Sequence, residues 1–407
     1  MAGPLSHIRV LDLSRVLAGP WASQNLADLG AEVIKIERPG SGDDSRAFGP
    51  PWIKDQQGRD TKDSAYFTSA NRGKKSLTLN IAVAEGQAIA RELAAKCDVL
   101  LENYKHGDLA RYGLGYDHVH KLNPRLVYCS VTGFGQTGPH RERPGYDFMI
   151  QGMGGMMSVT GEPDDAPGGG PQRAGVPIAD IITGMYASIA ICAALAHRER
   201  SGKGQHLDLA LLDSQIALLA YQNTNYFATG KPPKRIGNLH PNIVPYQPFR
   251  TADGEVILAC GNDNLYRKFC EAAGCPELAR DPRFSTNGKR VENRVELTRL
   301  LGEVFRKRSK REWLELLEAA GVPNGPINDV AQVFEEPQVK ARGVRLELEH
   351  AAAGALPSVA SPMRFSETPI EYRRGPPVLG EHTEEVLRGL LGKNEDDIAR
   401  LRSTGVI

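Results

Sequence analysis

Apolar and polar positions along the first half of the chain follow two alternating patterns. Short apolar runs rich in valine, leucine and isoleucine predict strands, and longer stretches with helical spacing separate them. The predicted strands cover residues 9–13, 32–37, 76–81, 98–102, 126–131 and 205–209, and the predicted helices cover residues 19–29, 84–96, 181–198 and 212–228. Strands that alternate with helices in this order are typical of βαβ units and a mainly parallel sheet, so we predict an α/β fold.

The second half of the chain has a less regular pattern. A glycine-rich stretch at 152–175 predicts loops, and two prolines between lysines at 231–234 predict a linker. The elements predicted beyond the linker are a strand at 256–259 and helices at 297–305, 310–319 and 383–391. Several prolines precede the final helix in the tail from residue 329, which we interpret as a return to the first part of the fold.

The length of the chain favours two domains. One ordinary hydrophobic core does not accommodate 407 residues. We predict a large domain over residues 1–228 that is completed by residues 329–407. The small domain, with its linkers, covers residues 229–328.

Charge and cysteine content narrow the class of protein. The 50 basic and 49 acidic residues leave a net charge of +1, which gives no general attraction to nucleic acid or to an anionic membrane. Charges or glycines interrupt every apolar run before it reaches the length of a membrane span. The 6 cysteines show no CxxC spacing, so we expect free thiols in a reducing compartment. With a first strand almost at the N-terminus, these features predict a cytoplasmic protein without a membrane or nucleic-acid partner.

Residues 133–138 match the glycine pattern G-x-G-x-x-G directly after a predicted strand. In dinucleotide-binding folds a helix follows this pattern, and its N-terminus binds the pyrophosphate. Here Pro139 and Pro144 follow, with a charged run between them, so the pattern does not indicate a nicotinamide dinucleotide site. The histidines and cysteines also lack the spacing of a zinc site, and we predict no metal.

Asp180 precedes a long helix of small and apolar residues. As an N-cap it would satisfy free backbone N–H groups, which is the commonest role of aspartate at such a position. As a nucleophile it would use the same helix terminus, because the helix dipole stabilises an ionised carboxylate. The residues alone leave both roles open.

Basic residues cluster where predicted strands begin or end. They are Arg38, Arg72, Lys74, Lys75, Lys105 and Arg111. Ligands of open α/β sheets bind at strand ends, and a diphosphate ligand needs local cations in a protein with so little net charge. For any one of these residues, a solvated surface position is the simpler interpretation.

Ordered motifs along nearly the whole chain resemble those of the family III CoA-transferases (CaiB/BaiF), the group that includes formyl-CoA transferase. They are the segments 10–20, 30–37, 42–46, 71–76, 102–104, 133–139 and 379–383. The resemblance implies an interlocked homodimer in which each chain has a Rossmann-like parallel-sheet large domain and a smaller α+β domain. It also implies an enzyme with no permanently bound cofactor, for which coenzyme A and acyl-CoA are substrates.

The resemblance assigns roles to individual residues. It places the catalytic nucleophile at Asp180, which favours the second of the two roles above. The CoA contacts that it implies are Leu17, Ala18, Arg38, Leu79, Asn103, Tyr104 and Arg111. The substrate pocket that it implies contains Phe48, Tyr146, Asp147 and His240.

Departures from the formyl-CoA transferase pattern bear on the substrates. Leu17 and Phe48 stand where that pattern has a glutamine and a tryptophan. In some members of the family a run of glycines closes over the reaction intermediate, and segment 237–242 of this chain lacks that run. Segments 245–249 and 321–328 resemble the succinyl-CoA:glutarate transferases more closely. We therefore expect CoA transfer from succinyl-CoA to a dicarboxylate, with formyl-CoA or acetyl-CoA:oxalate transfer as the alternative.

Two other classes of protein are compatible with much of the resemblance. The α-methylacyl-CoA racemases share the fold and the CoA site, but they place a histidine where this chain has Tyr146, and tyrosine is a poor base at neutral pH. A CoA-binding protein without catalytic activity has no need of a carboxylate at Asp180. The residues at both positions, Tyr146 and Asp180, therefore favour a transferase over these two classes of protein.

Overall fold

The computed structural model describes residues 3–407. The strands are β1 (Arg9–Asp12), β2 (Glu32–Glu37), β3 (Trp52–Lys54), β4 (Asp60–Ser64), β5 (Lys74–Thr78), β6 (Val99–Glu102), β7 (Val127–Thr132), β8 (His206–Ala210), β9 (Tyr246–Arg250), β10 (Glu255–Ala259), β11 (Asn324–Pro326), β12 (Arg345–His350) and β13 (Gly354–Val359). The helices are α1 (Ala18–Asp28), α2 (Ala65–Thr68), α3 (Ala84–Ala95), α4 (Asp108–Arg111), α5 (Tyr116–Leu122), α6 (Asp147–Met153), α7 (Met156–Val159), α8 (Ile178–Ser201), α9 (Leu211–Leu218), α10 (Tyr221–Thr229), α11 (Asp263–Ala273), α12 (Pro276–Arg280), α13 (Asn287–Glu292), α14 (Arg294–Phe305), α15 (Lys310–Ala319), α16 (Val330–Glu335), α17 (Pro337–Ala341), α18 (Thr383–Leu391) and α19 (Glu395–Ser403). A short 3-10 helix covers Asp44–Ala47.

The chain forms two compact units. Unit 1 comprises the chain up to residue 156 together with residues 174–230 and 340–407, and unit 2 comprises residues 157–173 and 231–339. The observed units differ from the expected domains in three segments: residues 157–173 and 329–339, expected in the large domain, belong to unit 2, and residues 229–230, expected in the small domain, belong to unit 1. The first of them joins unit 2 through the Gly237 N–H, which donates to the Gly161 carbonyl (3.0 Å).

Unit 1 is built on a sheet of six parallel strands in the order β5-β2-β1-β6-β7-β8. Numbered along this sheet alone, the order is 3-2-1-4-5-6, which is that of doubly wound Rossmann folds. The predicted parallel α/β arrangement is confirmed. The strand order reverses between β1 and β6, so the carboxyl ends of these two strands border a crevice.

The sheet of unit 1 has an apolar layer on each face, because strand residues alternate between the faces and helices cover both. One layer includes Leu11, Ile34, Leu100, Ile89 and Leu93, the last two from α3. The opposite layer includes Val10, Val33, Val99, Leu26 of α1 and Ile191 of α8. Helices α1 and α8 are thus held against the same face of the sheet.

Unit 2 contains the antiparallel sheet β11-β10-β9 with helices packed around it. Its core is aromatic: Phe249 and Phe269 stack on Phe305 with ring centroids 4.5 and 5.7 Å apart. The indole N–H of Trp313 donates to the Phe305 carbonyl (2.8 Å), so this buried ring keeps its hydrogen bond. All six cysteines of the chain are free thiols, as the spacing of the cysteines predicts.

Several predicted elements differ from the observed ones. The predicted helix over 212–228 is divided into α9 and α10, because Ala220 between them has a φ of +45°, outside the helical region. The predicted strand over 76–81 begins two residues earlier and ends three residues earlier, at Lys74–Thr78. The hairpins β3–β4 and β12–β13 are additional, since β4 is a polar segment and Pro357 interrupts the pattern of β13.

Helix α8 is long and apolar enough to cross a membrane by length and composition, which corrects the expectation that every apolar run is too short. Its contacts are those of a core helix. Ala179, Ala187 and Ile191 are fully buried, and a Cβ atom on Gly184 would come within 2.5 Å of the Ala18 carbonyl oxygen of α1. The helix is therefore packed into unit 1 along one side.

Candidate active site

A cavity of about 280 Å³ opens in unit 1 at the carboxyl ends of β1, β6 and β7. Its wall contains Asp180 together with Leu17, Ala18, Asn103 and Tyr104. The expected nucleophile and four of the expected CoA contacts thus line one space. Its location is the crevice at the reversal of strand order, where doubly wound sheets bind their ligands.

The loops that follow β1 and β6 are joined across this crevice by reciprocal hydrogen bonds. The Arg15 N–H donates to Asn103 Oδ1 (2.8 Å), and Asn103 Nδ2 donates to the Arg15 carbonyl (2.7 Å). The next N–H, that of Tyr104, donates to the carboxylate of Glu102 (2.7 Å). Burial raises the pKa of Glu102 to about 7. The hydrogen bonds between Arg15 and Asn103 thus join the loops after β1 and β6 into one wall of the cavity.

Val16, in the first of these loops, has a φ of +69°, which is rare for a β-branched residue. Its N–H donates to both carboxylate oxygens of Asp43 (3.1 and 3.2 Å). Asp43 forms a fully buried ion pair with Lys35 (2.8 Å). Burial alone would raise the pKa of Asp43, but the Lys35 charge and hydrogen bonds hold it far below its usual value. A buried charge pair therefore anchors the strained loop at the cavity.

Not all basic residues near strand ends reach the cavity. Arg72, Lys74 and Lys75 lie at the amino end of β5, opposite to the end at which parallel sheets bind ligands. Arg72 pairs with Asp28 (2.5 Å), and Lys74 pairs with Asp12 (3.3 Å). These buried pairs belong to the fold and not to the cavity.

Asp180 is the third residue of α8 and not its N-cap, which is Pro177. The acceptor at this helix terminus is Asp147, whose Oδ1 accepts from the Ala179 N–H (2.8 Å) and the Asp180 N–H (3.4 Å). Gln151 Nε2 donates to the other oxygen of Asp147 (2.7 Å). The capping role considered for Asp180 is therefore wrong, and Asp147 leaves the Asp180 carboxylate available for chemistry.

The surroundings of Asp180 oppose its ionisation. Burial, and then the negative charge of Asp147, raise the pKa of Asp180 to about 7. Within residues 3–407, no hydrogen-bond donor compensates by stabilising the carboxylate oxygens. The helix dipole alone would favour the ionised form, so desolvation and like charge outweigh the dipole here. Such a sparsely solvated carboxylate is a strong nucleophile once it is ionised.

Tyr66 is a neighbour of Asp180 and Asp147 that the sequence patterns do not predict, although it does not line the main cavity. Burial, and then the charges of Asp180 and Asp147, raise the pKa of Tyr66 to about 12, so its hydroxyl lies in the field of both carboxylates. Its ring packs edge-on against the half-exposed Phe48, with 5.4 Å between centroids. Tyr66 lies on the short helix α2, where no periodic pattern marks it.

A second cavity, of about 130 Å³, shares Arg15 and Tyr104 with the first. Arg38 and Leu79, two further expected CoA contacts, line it. Arg111 lines neither cavity in the described part of the chain, because its side chain is 71% exposed and pairs with Asp108. The geometry therefore brings together six of the seven expected CoA contacts.

The expected substrate-pocket residues are distributed over both units. Tyr146 lines the main cavity and is largely exposed, whereas the neighbouring Asp147 is buried beneath it. His240 belongs to unit 2, where its ring packs on Tyr246 with 5.3 Å between centroids. The place of His240 in the pocket stays a prediction.

The polar lining of the main cavity combines neutral groups with charged side chains of both signs, which are Arg15, Lys105, Arg141, Arg143, Asp44, Asp108 and Asp180. Among residues 3–407, no three or more His, Cys, Asp or Glu side chains are grouped so that they could hold a metal ion. Asp44 pairs with Arg15 and Asp108 pairs with Arg111, so the other cations of the lining suit an anionic ligand beside Asp180.

Comparison with known proteins places this site in a family. The sequence model of CoA-transferase family III matches residues 5–383 of this chain. The succinate–glutarate CoA-transferase of Agrobacterium fabrum is 50% identical over 387 residues, which cover 95% of this chain and 96% of that protein. The succinyl-CoA:glutarate CoA-transferase of Mus musculus is 44% identical over 404 residues, which cover 99% of this chain and 90% of that protein.

A solved structure agrees with these matches. The crystal structure of a CaiB/BaiF family protein from Brucella suis superimposes with a TM-score of 0.82 at 49% identity, covering 96% of this chain and 100% of that chain. The resemblance seen in the sequence motifs is confirmed over nearly the whole length of the protein. The chain belongs to CoA-transferase family III.

Proposed function

We propose that the protein transfers coenzyme A from succinyl-CoA to a dicarboxylic acid such as glutarate, with Asp180 as the nucleophile. The observation that carries this proposal is the Asp180 carboxylate, which caps no helix and lines the cavity formed by the loops after β1 and β6. By their names, the two relatives described above act on succinate or succinyl-CoA and on glutarate. Identity of 44% and 50% over most of the chain supports the same pair of acids here.

The proposed reaction begins when an Asp180 carboxylate oxygen attacks the thioester carbonyl carbon. The C–S bond breaks, CoA leaves as its thiolate, and a mixed anhydride joins Asp180 to the succinyl group. The thiolate attacks the aspartyl carbonyl carbon, which releases succinate and leaves CoA on Asp180 as a thioester. The acceptor carboxylate repeats both steps in reverse, so the new acyl-CoA leaves and the carboxylate is regenerated. The energy of the thioester is conserved because water takes no part.

The two cavities supply places for the two ends of the coenzyme. We assign the thioester end to the main cavity, beside Asp180, and the nucleotide end to the smaller cavity with Arg38 and Leu79. Arg38 supplies a positive charge for a phosphate group there. Arg15 and Tyr104 border both cavities, and the flexible arm of the coenzyme passes between them in this assignment.

We further propose a homodimer, in the interlocked form that the resemblance implies. Helices α8 to α10 of unit 1 expose large apolar side chains, which are Met185, Tyr186, Ile189, Ile216 and Phe227. Ile189 is 62% exposed and Phe227 is 76% exposed. Soluble monomers rarely leave a group of such side chains in water, so a second copy of the chain covers them in this proposal.

We place the enzyme in the cytoplasm, without a membrane or nucleic-acid partner and without a permanently bound cofactor. The net charge of +1 gives no attraction to anionic polymers. The apolar helix α8 packs into unit 1 along one side, and its exposed residues belong to the surface assigned above to the second subunit. The ligands are then CoA and the two acids, each held only during turnover.

Trapping the covalent intermediates tests the nucleophile. Incubation with succinyl-CoA and then hydroxylamine is expected to add a hydroxamate to the peptide that contains Asp180, because the amine attacks the activated aspartyl carbonyl. The D180A variant is expected to show no adduct and to lose transfer activity by at least about 1,000-fold. D213A is the matched control, since Asp213 is also the third residue of a helix, α9, but is exposed.

The D213A protein is expected to keep both the adduct and the activity of the wild type. An adduct at another residue, or transfer that survives in D180A, would contradict the proposed nucleophile. A panel of acceptors tests the acid pair: preference for oxalate with formyl-CoA or acetyl-CoA would support the alternative transferase. Exchange of the α-proton without any acceptor would support racemisation.

A further inference from the structure

The loop between β7 and α6 carries a positively charged residue, Arg143, at the cavity that contains Asp180. Neither the proposed reaction steps nor the expected CoA contacts give this residue a role. Arg143 lines that cavity, as do Tyr146 and Asp180. What Arg143 binds depends on where its loop is fixed and on the partners that its guanidinium already has.

The loop that carries Arg143, between β7 and α6, packs closely against the backbone at the end of β7. A Cβ atom on Gly145 would lie only 2.3 Å from the Gly133 Cα, so the two backbones touch at glycines. Two residues further along, Asp147 accepts hydrogen bonds from the first turn of α8, next to Asp180. Arg143 is therefore tied to the nucleophile end of the cavity and not to the CoA loops after β1 and β6.

The Arg143 side chain has an aromatic neighbour but no ionic partner. Its guanidinium carbon lies 5.2 Å from the centroid of the Phe134 ring, and its backbone N–H donates to the His140 carbonyl (2.9 Å). Within residues 3–407 no carboxylate lies at ion-pair distance from it, whereas Arg15 in the same cavity pairs with Asp44 (2.8 Å). A guanidinium over an aromatic ring keeps its N–H groups free for bidentate binding of a carboxylate.

We propose that Arg143 binds the distal carboxylate of the dicarboxylic acyl group and thereby selects dicarboxylic over monocarboxylic substrates. This inference rests on the proposed transfer between dicarboxylates. In donor and acceptor alike, one carboxyl group exchanges CoA and the other stays ionised. That second negative charge, close to Asp180 and Asp147, requires a cation. One guanidinium serves both acids, because they occupy the acyl site in turn.

The other cations of the cavity fit this role less well. Arg141 lies on the same loop, but its guanidinium is 3.7 Å from the Glu142 carboxylate, which competes for it. Lys105 directly follows Asn103 and Tyr104, on the coenzyme side of the cavity. Arg143 combines a position at the nucleophile end with the absence of an ionic partner.

The test compares acceptors that differ only in the second carboxylate. Succinyl-CoA is the donor throughout, and kcat/KM for glutarate and for pentanoate is measured with wild-type, R143Q, R143K and R141Q enzymes. R143Q is expected to lower kcat/KM for glutarate by about 10- to 100-fold, the effect of one lost charged hydrogen-bond pair, and that for pentanoate by less than about threefold. R143K keeps the charge without the planar fork, and we expect it to fall between wild type and R143Q.

Several outcomes would overturn the role of Arg143. They are equal losses with glutarate and pentanoate in R143Q, unchanged discrimination in R143Q, and loss of discrimination in R141Q alone. Formation of the Asp180 adduct at saturating succinyl-CoA shows that a variant is folded, and R143K replaces R143Q if the latter is not. Failure of the wild-type enzyme to transfer CoA from succinyl-CoA to glutarate or to any other dicarboxylate would instead refute the proposed function, and the inference with it.

Discussion

Asp147 and Asp180 divide two tasks that a single aspartate at a helix terminus often combines. Asp147 accepts the N–H groups of the first turn of α8, so Asp180 is not needed there. The charge of Asp147 also adds to the effect of burial in raising the pKa of Asp180 to about 7. One residue therefore fixes the helix terminus and sets the acidity of its neighbour.

The pH profile of the first half-reaction tests this coupling. CoA release is expected to fall as the pH is lowered through about 7, because in the proposed mechanism only ionised Asp180 attacks the thioester. D147N keeps an oxygen that accepts from α8 but removes the negative charge, so the pKa of Asp180 falls and the acid limb moves to lower pH. Single-turnover rates measured across the pH range, with D213N as the control, show the shift. An acid limb that stays in place or moves to higher pH would contradict the coupling.

At the scale of residues, the sequence predicts which residues are candidates for the site better than it predicts the surroundings of those residues. Asp180 is recognisable from its motif, but the residue that caps its helix lies 33 positions earlier. Nothing in the type of Val16 predicts its left-handed backbone, because Asp43, 27 positions later, holds its N–H. Tyr66 has no local signal at all, since only the fold brings it near the two carboxylates that help to raise its pKa.

Helices α1 and α8 meet at a glycine one turn beyond Asp180. A Cβ atom on Gly184 would lie 2.5 Å from the Ala18 carbonyl oxygen and 3.0 Å from the Trp21 Cβ. G184A is expected to destabilise the protein by about 1–3 kcal/mol, because overpacking outweighs the gain of roughly 1 kcal/mol in helix propensity. We also expect a lower kcat, since displacement of α8 moves Asp180 relative to the cavity wall at Ala18.

Unfolding midpoints in urea and steady-state kinetics measure these two effects. Gly389 in α18 provides the control, because it has open space where a Cβ would be added. G389A is expected to raise stability by about 0.5–1 kcal/mol without changing kcat. If G184A proved neutral or stabilising, the two helices would not be in such close contact.

At the scale of elements, the patterns succeed where local signals agree with each other. The predicted and observed limits are the same for β2, α15 and α18, and α15 also begins with a complete capping box at Ser309. They fail where tertiary contacts override local preference. Alanine favours helix, yet Ala220 interrupts the predicted helix between α9 and α10 with a φ of +45°.

At the scale of the molecule, the parallel sheet follows from strand and helix alternation, but the division into units does not. Segment 157–173 is rich in glycine and proline and carries no periodic pattern. Its place in unit 2 depends on hydrogen bonds such as that from the Gly237 N–H to the Gly161 carbonyl. Contacts between distant parts of the chain leave no trace in local spacing.

The proposed interlocked dimer makes a prediction about subunit exchange. Chains that thread through one another separate only if they unfold, so tagged and untagged dimers mixed under native conditions are expected to form no mixed dimers over many hours. The same mixture, unfolded in urea and refolded, is expected to contain mixed dimers in statistical proportion. Native mass spectrometry distinguishes the species. Rapid exchange in native buffer would instead favour a simple surface dimer, in which the second subunit covers the exposed side chains of α8 to α10 without threading through the first.

The raised pKa of Asp180 has an energetic counterpart in the proposed covalent intermediates. Surroundings that disfavour the charged carboxylate favour any uncharged form of the same side chain, whether protonated, joined in an anhydride or bound to CoA as a thioester. A shift from 3.8 to about 7 corresponds to about 4 kcal/mol in favour of the protonated over the ionised carboxyl, and the other uncharged forms are favoured in the same direction. In the proposed mechanism, burial and like charge around Asp180 thus also bring the acylated enzyme closer in free energy to the free enzyme, which smooths the profile of a reaction that must run in both directions.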